Sequence, residues 1–294
     1  MSFKIKKSLK TSLRSSWIIL KLIVPIYLLA DLLFYYDVLK HITFIFQPIV
    51  TILGLPQEAA LSIVSGLFLN LYAAIAFAAP LGLGAKEWTI LAIFLGIAHG
   101  LLVETEIMKK LGIARSYSIL LRLLTGFLVA FIASHFPDSW FQSSSQNLTT
   151  LSPQQHYDTI LSLLKNSLYE AFSLSIKVIA LVSLLIFFLD FIKSLSFIER
   201  YSQKVNSGFS ITVGVILGIT YGAGILISEY EKGALHKKEI LFIGTYLMIC
   251  HAIIEDTLLF VIFGANPWMI VSLRFIFATF VSYLVVKLLN PKTT

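Results

Sequence analysis

Residues 86–112 read KEWTILAIFLGIAHGLLVETEIMKKLG, and residues 238–264 read KEILFIGTYLMICHAIIEDTLLFVIFG. Laid over one another without a gap, at an offset of 152 residues (86 to 238), they pair Lys86 and Glu87 with Lys238 and Glu239, His99 with His251, Thr105 with Thr257, and Gly112 with Gly264. The same offset pairs Arg122 with Arg274 and sets Glu104 against Asp256. Upstream it places Ser62, Gly66 and Asn70 against Gly214, Gly218 and Gly222, a ladder of small or polar side chains four residues apart. Hydrophobic identities carry little weight in an apolar chain, but these polar ones do. The chain is therefore read as two copies of one unit.

The background to that repeat is 294 residues that are 57% hydrophobic and 13% charged, with mean hydropathy +0.85. An ordinary soluble domain carries about 25% charge, so a soluble globular protein is excluded. The single cysteine, Cys250, and the lack of a long polar tract exclude a disulfide scaffold and a disordered chain. The balance of 23 Lys and Arg against 16 Asp and Glu gives a net charge of +7. No basic stripe interleaved with aromatics appears, so nucleic acid is not an expected partner. In a membrane protein such an excess marks orientation, because basic residues are retained on the cytoplasmic side.

Apolar runs near the 20 residues or so needed to cross a bilayer lie at about 17–36, 58–80, 87–108, 115–136, 169–190, 209–228, 239–262 and 267–288. The first follows a basic stretch with Lys4, Lys6, Lys7, Lys10 and Arg14 and reads as a retained span. It is long for a signal-peptide core, and no small-residue cleavage site follows it. The weaker segments 38–53 and 191–207 read as interfacial helices. If 209–228 crossed fully, Lys232, Lys237 and Lys238 would fall on the opposite side from Lys193, Arg200 and Lys204. A hairpin that enters and leaves on one face keeps them together, with a plain span as the alternative. Such a hairpin needs neighbouring helices or a wet cavity to satisfy its backbone.

The expected fold is an all-α integral membrane protein of two repeats, each with about three transmembrane helices, an interfacial helix and a re-entrant hairpin. The expected divisions are a basic cytoplasmic N-terminus (1–16), a first repeat (17–136), an extracytoplasmic polar loop (137–168) and a second repeat (169–294). Both termini are expected in the cytoplasm and the protein in the plasma (inner) membrane. An odd number of crossings per copy inverts the two copies relative to one another. Secondary transporters use that architecture around a central site.

His99 and His251 fall near the middle of their spans, with Glu104 and Asp256 five residues on. Ionisable side chains in hydrocarbon cost roughly 2.5–3.5 kcal/mol on insertion scales and so face a cavity or a partner. On a continuous helix residues four apart share a face and residues five apart diverge by about 140°. His251 therefore converges with Glu255, and His99 with Glu106 seven residues on, while Glu104 and Asp256 turn away. Arg122 and Arg274 read either as salt-bridge partners of Glu104 and Asp256 or as planar forks for an anionic substrate.

For the histidines three readings stand: helix-packing hydrogen bonds, a proton-coupling site tuned by an adjacent carboxylate, or ligands to a metal. The last is weak on two ligands per helix. The glycines permit close helix approach or break the second segment at a hairpin tip. On the latter reading Asn70, Tyr72, Thr220, Tyr221 and Gly222 line the gate. Thr105 and Thr257 complete the set of candidate substrate or coupling residues.

The stretch from Gly244 through HAIIEDT (251–257) to FGANP (263–267), with GLP (54–56) and EAALSIVSGL (58–67), resembles membrane proteins that carry a nucleoside-recognition or Gate domain. That superfamily includes the concentrative nucleoside transporters and the membrane part of ferrous iron transporter B. The resemblance covers most of both halves. It implies paired Gate repeats that move or recognise a small solute, with His251, Glu255, Asp256 and Thr257 in the characteristic segment. No GxxxxGK[ST] loop is present, so the complete iron transporter is excluded. Cys250 alone cannot form a thiolate ion pathway, and no nucleoside-binding motif stands out.

The function expected is a secondary transporter of a small polar or anionic solute, proton-coupled and working by alternating access. It is expected to be no enzyme and to use no cofactor. Its partners are a small-molecule or ion substrate and the lipid bilayer, with a homodimer left open. The rival readings are a membrane-embedded metal-dependent enzyme acting on a lipid or peptide, and a non-transporting scaffold.

Overall fold

Apolar runs punctuated by Gly, Pro and charge dictate helices and nothing else here, and the computed structural model contains only helices and turns among the residues it describes. These are 5–36, 38, 46–141, 159–194, 207–219, 227 and 236–288. The helices are α1 (Ile5–Tyr35), α2 (Gln47–Ile52), α3 (Ala59–Phe68), α4 (Leu71–Ala78), α5 (Ala85–Ala98) and α6 (Leu101–Lys110). They continue with α7 (Arg115–Ser134), α8 (Ile160–Ser194), α9 (Ser207–Leu217), α10 (Lys237–Ile249), α11 (Ile253–Val261) and α12 (Pro267–Leu288).

Among the described residues six stretches are long and apolar enough to cross a membrane: Ile5–Tyr35, Ala85–Lys110, Arg115–Ser134, Ile160–Ile192, Lys237–Val261 and Pro267–Leu288. The protein is thus a multi-pass membrane protein, three such stretches falling in each half. Ala85–Lys110 and Lys237–Val261 are 67% and 72% buried inside the protein, whereas the other four range from 22% to 39%. With no hydrophobic drive between helices in lipid, that contrast separates two central elements from four that face the acyl chains. The central pair is broken mid-span, α5 from α6 at His99–Gly100 and α10 from α11 at Cys250–Ala252.

The segment 58–80 is not one span. It folds back on itself as α3 and α4, with Ser62 Oγ donating to the Ala74 carbonyl at 2.7 Å. The turn is capped by Asn70, whose Oδ1 accepts from the Ala73 N–H at 3.1 Å. The corresponding arm of the second half is α9, which ends at Gly218 with φ +91°. Thr220, Tyr221 and Gly222, expected at its tip, lie outside the described residues, as do 195–206 of the expected interfacial helix. Of the segment 38–53, α2 is helical, with proline in its first turn.

Three boundaries differ from expectation. The first helix begins at Ile5, not near Trp17, because Lys, Leu and Ser sustain a helix; Ser8 and Ser12 are buried, donating to Asp190 and Ser183 of α8 at 2.7 Å each. The loop expected over 137–168 contains a 3-10 turn, Asp138–Trp140, and gives way to α8 at Ile160. The ladder register is also shifted. Gly100 N–H donates to Gly66 O at 2.9 Å and Ala252 N–H to Gly214 O at 3.3 Å. Gly100 and Ala252 are 152 apart but Gly66 and Gly214 are 148 apart, so Gly66 corresponds to Gly214, not Gly218. Four residues are about one helical turn, a slip that leaves the buried face unchanged.

Candidate functional site

The breaks in α5–α6 and α10–α11 create the site. His99 is extended (φ −66°, ψ 160°) and Gly100 left-handed (φ 54°), so the helix stops and restarts. In the second half Cys250 leaves the helix and Ala252 takes the left-handed position (φ 45°) that Gly100 holds in the first. A broken helix leaves carbonyls without partners, which in hydrocarbon costs several kcal/mol each. The two buried arginines satisfy them. Arg122 donates from Nε to Ile97 O at 2.8 Å and from Nη2 to His99 O at 2.6 Å. Arg274 donates from Nε to Ile249 O at 3.2 Å and from Nη2 to His251 O at 2.8 Å. Every acceptor in one set has its counterpart 152 residues on in the other.

Each guanidinium also holds the acid of its own half: Arg122 Nη2 lies 2.7 Å from Glu104 Oε2, and Arg274 Nη1 lies 3.3 Å from Asp256 Oδ2. Neither arginine therefore presents a bare planar fork to an anion, although Arg122 Nη1 has no hydrogen-bond partner.

At the centre the two halves meet. The imidazole rings of His99 and His251 stand 5.3 Å apart, tilted by 36°. Each ring is fixed by its Nδ1, 2.8 Å from Leu95 O in one case and 2.7 Å from Leu247 O in the other. A carbonyl only accepts, so Nδ1 carries the proton and Nε2 faces inward. Glu104 Oε1 lies 3.4 Å from His99 Nε2 and 3.3 Å from His251 Nε2. The ligand atoms of these three residues all lie within 4.8 Å of one another, a spacing that can hold a metal ion. The histidine side chain from the second half is 2% exposed, while those of His99 and Glu104 retain 14% and 12% of their surface, leaving the centre open from that side.

Other expected site residues are placed elsewhere. Glu106 does not accompany His99; it forms a two-pronged pair with Arg115, Nη2 to Oε2 at 2.9 Å, with both side chains 53% exposed. Glu104, expected to turn away, is the acid beside both histidines. The cause is the break: the angular count from His99 assumes a continuous helix, and the extended His99 and left-handed Gly100 reset it. Glu255 accepts from Tyr72 Oη of α4 at 3.3 Å. Thr105 Oγ1 packs 3.2 Å from Ser118 Oγ, and Thr257 Oγ1 is buried without a hydrogen-bond partner.

The contacts of Gly66 and Gly214 with the broken helices carry no chemical signature in the sequence beyond two small residues. A Cβ on Gly66 would stand 2.6 Å from Leu95 Cδ2, and one on Gly214 would collide with Leu247 in the same way. The 152-residue spacing of Leu95 and Leu247 is the signal that recovers that register.

The chain is 28% identical over 279 residues to the uncharacterized membrane protein YvoD of Bacillus subtilis (strain 168), an alignment that covers 90% of this chain and 88% of that one. No family model matches the chain. No solved structure matches it.

Proposed function

We propose that this protein is a secondary transporter of a small polar solute or ion, working by alternating access between two inverted repeats of the Gate type. One observation carries the reading: His99, Glu104 and His251 converge from two broken, deeply buried spans. Buried ionisable groups on discontinuous helices mark substrate and ion pathways in membrane proteins. On this reading α3–α4 is a re-entrant hairpin and α9 the first arm of its counterpart, hydrogen-bonded to the broken helices from Gly100 N–H to Gly66 O and from Ala252 N–H to Gly214 O. The termini and the basic residues of both halves are assigned to the cytoplasm of an inner membrane, following the basic bias.

Within the centre, the histidines are the proton-exchanging groups of this reading, and Glu104, placed against both, takes the coupling role expected of the acids beside them. The arginines are structural staples, so a solute held mainly by an arginine fork is set aside. A membrane-embedded metal-dependent enzyme would use the same His–Glu–His set and would hydrolyse lipid or peptide in detergent.

The test is solute-driven proton flux into liposomes that contain the full-length protein and an entrapped pH dye. A panel of nucleosides, dicarboxylates, phosphorylated metabolites and divalent metals is applied one at a time. The expected result is flux for one class, abolished by combining His99→Ala with His251→Ala. Flux that survives the double substitution, or none with any class, overturns the reading.

A further inference from the structure

The three atoms at the centre share a property that transport alone does not require: all are acceptors. With Nδ1 of each ring committed to a carbonyl as donor, the neutral imidazoles of His99 and His251 carry lone pairs on Nε2. Both lie 3.3–3.4 Å from a carboxylate oxygen, Glu104 Oε1, and the geometry at His251 Nε2 makes no regular hydrogen bond. His251 is 1% exposed, so water does not relieve its Nε2. Three converging acceptors repel one another unless positive charge lies among them.

The spacing says what kind of charge fits. For metal–ligand bonds of about 2.0–2.1 Å, the edge of a coordination tetrahedron is about 3.3–3.4 Å. Two imidazole nitrogens and one carboxylate suit a borderline transition-metal ion, whereas Mg2+ and Ca2+ demand oxygen ligands. The surrounding bonds are those of an orienting outer shell: each ring N–H is tied to a backbone carbonyl, and the second oxygen of Glu104 is held by Arg122 at 2.7 Å.

We propose that His99 Nε2, His251 Nε2 and Glu104 Oε1 form a three-ligand site for a divalent borderline transition-metal cation, with a fourth position open to water or exchange. This deepens the transport reading by naming the class of solute, and rests on it only for the claim that the ion is cargo. The fixed charges facing the site, Arg122 and Arg274 against Glu104 and Asp256, cancel before the ion arrives. The ion's own charge is therefore not neutralised by the fixed charges around it.

The experiment uses the full-length, tag-free protein in detergent, with Zn2+ measured by equilibrium dialysis and Co2+ by visible absorption. The expected result is one Zn2+ per chain and an intense Co2+ band diagnostic of tetrahedral N and O ligation. His99→Gln and His251→Gln should each weaken Zn2+ binding by at least about 100-fold, and Glu106→Gln should not alter it. No binding, binding undiminished in both histidine variants, or a weak octahedral Co2+ spectrum in the unaltered protein overturns the site. The spectrum requires no variant to fold. Zn2+ binding without Zn2+ uptake into liposomes supports the site and refutes the cargo role. Uptake of a non-metal solute without Zn2+ binding refutes the site and leaves transport standing.

Discussion

Arg274 donates from Nη2 to the carbonyl oxygen of Gly96 at 2.6 Å, so a side chain rooted in α12 fastens the helix carrying His99 to that carrying His251. Among the described residues Arg122 makes no such cross-half bond; its partners Ile97 O, His99 O and Glu104 all belong to the first half. The bond exists because residue 96 is glycine: a Cβ there would stand 3.0 Å from Arg274 Nη1 and 3.2 Å from Cζ.

Gly96→Val should therefore push the guanidinium off the Gly96 carbonyl and cost about 1–3 kcal/mol by overpacking, while Gly126→Ala, whose Cβ would meet Phe94 O at 3.3 Å, should cost less. Thermal unfolding in detergent ranks the two.

Arg122→Met should lower stability by about 3–5 kcal/mol, because it strands a buried carboxylate and two carbonyl oxygens. Combining it with Glu104→Gln should recover part of that loss, with a coupling of about 1–3 kcal/mol in a double-mutant cycle. Additive losses would show that the pair is not coupled.

Ala252 occupies a left-handed conformation that L-residues adopt at a cost of about 1–2 kcal/mol. Ala252→Gly should raise the unfolding temperature, and Gly100→Ala should lower it. Opposite signs at two positions related by 152 residues would be the check.

Glu106→Ala and Arg115→Ala remove an exposed, solvent-screened pair and should each leave the unfolding temperature in detergent essentially unchanged. Transport should be unaffected, since neither residue reaches the centre; a loss of uptake equal to that of Glu104→Gln would contradict this placement.

Tyr72→Phe deletes the bond from α4 to Glu255 at a cost of about 0.5–1.5 kcal/mol. That bond ties the first hairpin to the second broken helix, so uptake kinetics in liposomes should change by more than the stability does.

The six spans and their order were legible in the sequence because twenty-residue apolar runs have no other stable use. The pairing of His99 with His251 and of Arg122 with Arg274 was legible because polar side chains at one offset stand out against an apolar background. What failed was local geometry. Glu106 was assigned to His99 by counting 100° per residue through positions where the helix is interrupted. Gly100 gives a hint of that interruption, but Ala252 gives none, since nothing about alanine announces a left-handed backbone. The partners of Arg122 and Arg274 escaped in part because most are main-chain oxygens, which every residue possesses. The four-residue slip between Gly66 and Gly214 was invisible because glycines recur at that spacing in the second half.

The outer helices carry a mechanical consequence. α1 has 31 residues and α8 has 35, or about 46 and 52 Å of helix against a hydrocarbon layer of about 30 Å. Ser8 with Asp190 and Ser12 with Ser183 pin the pair near one end, and Ser167 with Asp31 pins it near the other. Clamped at both ends, the two cannot slide to shed their excess length; they must project from the hydrocarbon or lean within it. Because α1 opens the first half of the chain and α8 the second, a thicker or thinner bilayer strains both halves together. On the proposed alternating-access reading, acyl-chain length thereby becomes a setting on the balance between conformations, one that acts from the perimeter without touching the centre.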